Sequence, residues 1–236
     1  MMFHTQLPKT PRMHRSVLLT GAPSRRTALG HVCAVLCAAC SFAAIADPAQ
    51  DAVTGLQHEW EVIRYQEPAA EREKRFASLA AKARQVTSAS PGRAEPLVWE
   101  GIILSSWAGE KGGLGGLDLV RQAKRLFEQA IAIDGEVLNG SAYDSLGVLY
   151  YRVPGWPIGF GDKDKARELL QKSLAIDPQG IDANFFYAEY LMQTRQSDPL
   201  PYLEKALRAP PRPGREIADA GRRHEVRALM DAIKAR

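Results

Sequence analysis

Surface chemistry needs titratable or nucleophilic side chains that converge, so the histidines, cysteines and loop carboxylates of this 236-residue chain come first. Beyond residue 46 the histidines are His58 and His224, far apart and without a His or Cys neighbour at metal-ligand spacing. Both read as surface or packing residues, and no metal or cofactor is expected. Gly112-Gly113-Leu114-Gly115-Gly116 is glycine-rich like a loop that cradles phosphate. It lacks the closing Lys-Ser/Thr, and no strand precedes it. Asp162 and Asp164 carry charge a cation would need, but capping a helix that starts there is the simpler use. No serine sits in a nucleophile elbow, and Glu110 and Asp118 are loop carboxylates without an identifiable partner. The expectation is a protein that is not an enzyme.

Residues 1–46 have a different chemistry. They hold five basic residues (Lys9, Arg12, Arg15, Arg25, Arg26), no acidic one, and then an apolar run from Thr27 to Ala46. The run is rich in Ala and ends Ala44-Ile45-Ala46, a small-x-small site. This order reads as a secretory signal peptide over 1–46, cleaved after Ala46, with a periplasmic destination. The run is too short and weak to span a bilayer. Arg25-Arg26 resembles a twin-arginine signal without the usual following Phe, which leaves the Sec and twin-arginine routes open. Met13 is an alternative start that leaves the mature protein unchanged.

All three cysteines, Cys33, Cys37 and Cys40, fall in this leader. Leu36-Cys37-Ala38-Ala39-Cys40 is a shifted lipoprotein box, so an anchor at Cys40 is the alternative; membrane attachment is expected only if Cys40 is lipidated. Cleavage after Ala46 leaves no cysteine, hence no disulfide and no thiol nucleophile. It also removes five of the 31 Lys and Arg, leaving 26 against 27 Asp and Glu. The basic balance therefore belongs to the leader, and nucleic acid is not an expected partner. The arginine-rich stretch from Lys205 to Arg236 has acids mixed in and reads as a solvated helix face.

The remaining 190 residues or so suit one domain. Apolar residues recur at spacings of three and four. Examples are Val53, Leu56, Trp60 and Ile63; Phe76, Leu79, Ala80 and Ala83; and Leu119, Ala123, Leu126, Phe127 and Ala130. Pro68, Pro91-Gly92, Asn139-Gly140, Pro178-Gln179-Gly180 and Pro210-Pro211 punctuate these stripes. Ser141 and Asp144 have capping-box spacing, and Asp198-Pro199 reads as a helix start. The pattern predicts an all-α chain of about four helix pairs and a ninth, C-terminal helix.

One segment repeats. Gln122–Gly135 aligns without a gap to Lys165–Pro178, 43 residues later. With their neighbours these segments resemble the tetratricopeptide repeat, whose first helix carries an aromatic, Leu-Gly and Tyr, and whose second carries Ala, Phe, Ala and Pro. In the best copy Tyr143, Leu146, Gly147 and Tyr150 fill the first set, and Ala166, Leu170, Ser173 and Pro178 the second. The preceding copy has Trp99, Ile102, Ile103 and Ser106, then Ala123, Phe127, Ala130 and Gly135. A looser copy runs from Asn184 to Pro211. Small residues let paired helices approach, and large ones fill the space between pairs. The resemblance implies a right-handed solenoid: an N-terminal helix pair at 47–95, repeats at 96–214, and a solubilising cap helix at 215–236 with Val226, Leu229, Met230 and Ile233 inward and Arg222, Arg223, Arg227 and Lys234 outward.

Repeats of this family have 34 residues, whereas Trp99 and Tyr143 lie 44 apart. The excess forms two Gly-rich inserts within helix pairs, Trp107–Leu117 and Val153–Asp162. Occupying equivalent places, they are expected as loops on one edge, with Gly permitting positive-φ turns. Trp107, Leu114, Trp156, Ile158 and Phe160 are the candidate binding residues; Trp156 and Phe160 either present apolar area or fold back into the groove. This plan is similar to the accessory proteins of TRAP solute transporters (the TatT family), which stack such pairs around a ligand-accessible pore. The likeness covers about Trp99 to Ala209 and is sharpest at Gly159-Phe160-Gly161-Asp162. Two expectations follow. One is an exported scaffold that binds a protein or peptide. The other is an accessory protein that handles a small apolar or amphipathic solute. A deep cavity walled by both inserts would favour the second.

Overall fold

Asp47 satisfies the free amides that open the first helix, accepting from the N–H groups of Ala49 (3.0 Å) and Gln50 (3.4 Å). Pro48 follows at the first helical position, where its missing N–H costs nothing. The computed structural model describes residues 47–235; the expected signal peptide and its three cysteines lie outside them. The described elements are all helices: α1 (Pro48–Tyr65), α2 (Ala69–Ala89), α3 (Ala94–Lys111), α4 (Gly113–Asp134), α5 (Val137–Arg152), α6 (Lys163–Ile176), α7 (Ile181–Thr194), α8 (Leu200–Arg208) and α9 (Glu216–Lys234). Each packs on the next in chain order.

The expected stripes face the core. Val53, Leu56, Trp60 and Ile63 of α1 join Phe76, Leu79 and Ala83 of α2 and Ala123, Phe127 and Ala130 of α4 in one cluster. Burying each large side chain contributes about 1.5–3 kcal/mol. A second cluster joins α7, α8 and α9 through Phe185, Leu203 and Val226; a third holds Tyr151, Leu170 and Tyr190. Gly147 marks the closest crossing of α5 and α6, since a Cβ there would meet Leu170 Cγ at 2.8 Å. In the preceding pair Ile103 is buried, and the close approach lies instead at Gly101, against the Phe127 ring.

Four local expectations are corrected. Trp107–Leu117 is not a loop: α3 runs to Lys111 and α4 starts at Gly113, with Gly112 alone between them. Two consecutive glycines let the chain reverse there, Gly112 at φ 64° and ψ −173° and Gly113 at φ 56°. Val153–Asp162 is a loop, but its glycines serve close approach rather than positive φ. The N–H of Gly161 donates to Pro154 O at 2.9 Å, and a Cβ at Gly159 or Gly161 would strike the backbone of Val153 and Pro154. Ser141 and Asp144 form no capping box. Leu138, Asn139 and Gly140 are left-handed and break the chain as Asn139-Gly140 predicts, so the right-handed part of α5 begins only after Gly140; there Ser141 Oγ donates back to Leu138 O at 2.6 Å instead of capping.

The fourth correction concerns α9. Arg227 and Lys234 are exposed as expected, but Arg222 is buried and Arg223 half-buried, and α9 packs on α1 and α7 as well as on α8. Arg64 Nη2 donates to Glu225 Oε1 at 2.7 Å, and Ala218 N–H donates to Glu61 Oε2 at 3.2 Å. The last helix is thus tied to the first, and the series closes on itself.

Candidate ligand cavity

Closure leaves an open cavity of about 1230 Å³ between the helices. Its apolar wall includes Trp60 and Tyr65 of α1, Trp99 and Ile102 of α3, and Phe185 and Phe186 of α7. Both Gly-rich segments reach it, the first through Gly109 to Leu117 and the second through Val153, Pro154 and Ile158. Trp60 stands edge-on to Trp99, with centroids 6.0 Å apart, and its Nε1 donates to Ser106 Oγ at 2.8 Å. Trp99 Nε1 is buried without a hydrogen-bond partner among the described residues.

The charged side of the wall is built from α7, α9 and the segment before α9. Asp182 accepts from Arg212 Nη1 and Arg222 Nε, both at 2.7 Å. Asp219 accepts from the backbone N–H of Arg212 at 2.9 Å and from its Nε at 2.7 Å. Glu225 accepts from Arg222 Nη1 at 2.5 Å, and the same guanidinium lies 4.6 and 4.4 Å from the ring centres of Phe185 and Phe186. Burial opposes the charge of Asp182, but Arg222 and Arg212 outweigh it and hold its carboxyl well below the usual carboxylate range. Burial likewise opposes the charge of Arg222, yet Asp182 leads a set of neighbours that raise its pKa above the ordinary guanidinium value. Glu189, also on the wall, accepts from Tyr151 Oη at 2.5 Å and from Arg152.

Asp144 differs. It is buried, Oδ1 has no hydrogen-bond partner among the described residues, and burial followed by the nearby Asp182 raises its pKa well above the usual range. With Ser141, Asp182 and Arg212 it stands between the main cavity and a chamber of about 150 Å³.

The five candidate residues separate. Leu114 and Ile158, 80% and 61% exposed, lie at the cavity edge. Trp107 is half-buried against the core and does not line the cavity. Phe160 folds back edge-on to Tyr150 at 5.5 Å, with Lys124 Nζ 5.8 Å from its ring centre. Trp156 is 90% exposed, outside the cavity. Sequence reasoning passed over the wall that α9 supplies. Its signal was present: Arg215, Ala218, Arg222, Glu225, Leu229 and Ala232 recur at spacings of three and four and line the cavity together.

Among the described residues no group of three or more His, Cys, Asp or Glu side chains is placed to hold a metal ion, and no helix is long and apolar enough to cross a membrane. The chain matches no family model and no curated protein.

Proposed function

We propose that this chain is an exported, non-catalytic binding protein whose helix pairs are of tetratricopeptide type and whose cavity holds a small amphipathic ligand, in the manner of a TatT-like accessory protein of a solute transporter. One observation carries this reading: the cavity is walled by both Gly-rich segments and is large enough for a small molecule. Ligand cavities typically enclose about 300–1,000 Å³ and combine an apolar lining with a few placed polar groups. Here indole and phenyl rings supply the lining, while paired arginines and carboxylates supply the polar groups. The ion pairs keep most of that charge internally balanced, which suits a ligand with a large apolar part.

A second reading has its own support. Leu114, Trp156 and Ile158 are large, apolar and exposed, which favours docking of a protein or peptide beside the cavity mouth. The two readings are compatible in a protein that passes a solute to a partner.

One experiment tests both. Tagged full-length protein is isolated from an exporting cell and examined by native mass spectrometry, alongside Ser145→Trp and Trp156→Ala/Ile158→Ala. Ser145 lines the cavity and makes no side-chain hydrogen bond among the described residues, so an indole there takes up cavity volume. The expected result is a co-purified small mass on the wild type and on the double variant, lost from Ser145→Trp. No added mass on any form would overturn the ligand reading. Equal recovery of every protein by wild type and double variant would remove the exposed loop from partner binding.

A further inference from the structure

Arginines 64, 152, 212, 215 and 222 line the cavity. Four of them are clasped by carboxylates. Arg64 donates to Glu225 at 2.7 Å, Arg152 to Glu189, Arg212 to Asp182 and Asp219, and Arg222 to Asp182 and Glu225. Arg215 is the exception. The sole hydrogen bond of its side chain among the described residues is a long one, from Nε to Glu61 Oε2 at 3.4 Å. Glu61 is already occupied by the Ala218 N–H at 3.2 Å and His58 Nδ1 at 3.2 Å. The two terminal nitrogens of Arg215 therefore meet no acceptor among the described residues, although its side chain is only 15% exposed.

A guanidinium presents a planar fork of donors that matches a carboxylate with two parallel bonds. The guanidinium carbon of Arg215 lies over the ring of Trp99, 5.0 Å from its centre, against an apolar wall. That wall continues through Trp60 and, one turn along α3, Ile102. Burial and then the neighbouring Arg212 push the pKa of Arg215 below the ordinary guanidinium value, the reverse of Arg212 and Arg222. Glu61 and Asp182 offset that charge only in part, and a bound anion would complete the compensation. The acids on the wall do not compete for the place. Asp182, Glu189 and Glu225 are held by the other arginines, burial raises the pKa of Asp144 and opposes its charge, and Glu110 lies eleven residues along α3 from Trp99, about 16 Å at helical rise.

We propose that Arg215, braced on Trp99, is the anion-binding subsite of the cavity, and that the ligand is a monocarboxylate with an aliphatic or aryl body lying along Trp99, Trp60 and Ile102. This inference rests on the small-ligand reading above and narrows it to one chemical class.

Three probes of equal chain length test it: decanoate, decan-1-ol and decylammonium, titrated at neutral pH into the full-length chain by calorimetry and by tryptophan emission. Decanoate is expected to bind about 10–100-fold more tightly than decanol, as one charge-assisted contact to a half-desolvated guanidinium implies. Decylammonium is expected to be the weakest. In Arg215→Gln the decanoate advantage should vanish while decanol affinity stays within about twofold. If that variant does not fold, Ile102→Glu serves instead, because it leaves Arg215 and Glu61 in place and plants a carboxylate beside the fork; it too should lose the decanoate preference. Equal binding of decanoate and decanol, or undiminished decanoate preference in the folded variant, would overturn the subsite and leave the cavity reading standing. Failure of all three probes also overturns the subsite. The native mass spectrum then decides separately whether the cavity holds another ligand.

Discussion

Asp144 and Asp182 stand on neighbouring helices at the cavity wall and respond to it in opposite directions. Asp182 has two guanidinium partners at 2.7 Å and stays charged well into acid; Asp144 has none, and burial and the charge of Asp182 raise its pKa. The folded carboxyl of Asp144 thus holds its proton more tightly than the unfolded one. Its contribution to stability is fully present below the ordinary carboxylate range and is lost as pH rises through the raised folded value. Asp144→Asn removes that loss. The variant should gain about 1–3 kcal/mol at pH 7, the scale of a buried unsatisfied polar group, and should lose the advantage below about pH 4. Urea unfolding at the two pH values measures this. A gain of the same size at both would mean that packing, not ionisation, is responsible.

At the scale of the element, helix positions were legible because their signals are local. The stripes of α1, α2 and α4 and the cap of α6, where Asp162 accepts from Asp164 and Lys165 N–H at 2.9 and 3.0 Å, need only neighbours a turn away. What could not be read depends on distant chain. Gly112–Gly116 has loop composition, yet Gly116 lies where a Cβ would meet Ala108 O at 2.8 Å, so packing of α3 on α4 holds Gly115 and Gly116 in a helix while Gly112 and Gly113 make the turn. Likewise the Val226, Leu229, Met230 and Ile233 face of α9 was legible and packs on α7 and α8, whereas Arg222 looked solvated because only contacts with distant helices bury it. Gly112 itself offers a test. Its φ of 64° with ψ of −173° suits glycine almost alone, and no atom stands within 4 Å of a Cβ there, so alanine would meet strain without a clash. Gly112→Ala should cost about 1–3 kcal/mol. Gly109→Ala, in regular helix three residues earlier and equally unobstructed, should gain about 0.5–1 kcal/mol. Chemical denaturation of both variants decides it: a neutral Gly112→Ala would show that the reversal between α3 and α4 is not fixed by that residue's backbone.

For the molecule as a whole, closure changes how stability is distributed. In an open stack each pair rests on its neighbours, and loosening the last helix affects only the end. Here α9 meets α1 through Arg64–Glu225, Ala218–Glu61 and a close crossing at Gly221, where a Cβ would enter the ring of Tyr65. The cavity depends on that crossing, since α1 and α9 both supply its wall. Gly221→Leu would wedge the two helices apart without deleting any existing contact. Overpacking of this kind costs about 1–3 kcal/mol. The effect should appear at both ends of the chain at once: hydrogen exchange of amides in α1 should quicken by about tenfold or more, matching about 1.4 kcal/mol of easier opening, together with those of α9, while α5 and α6 change little. The same variant should bind the cavity ligand more weakly, because the aromatic wall of α1 moves away from the arginines of α9. Faster exchange confined to α8 and α9, with α1 unchanged, would mean that the last helix is an end cap after all and that the cavity does not need the ring to be shut.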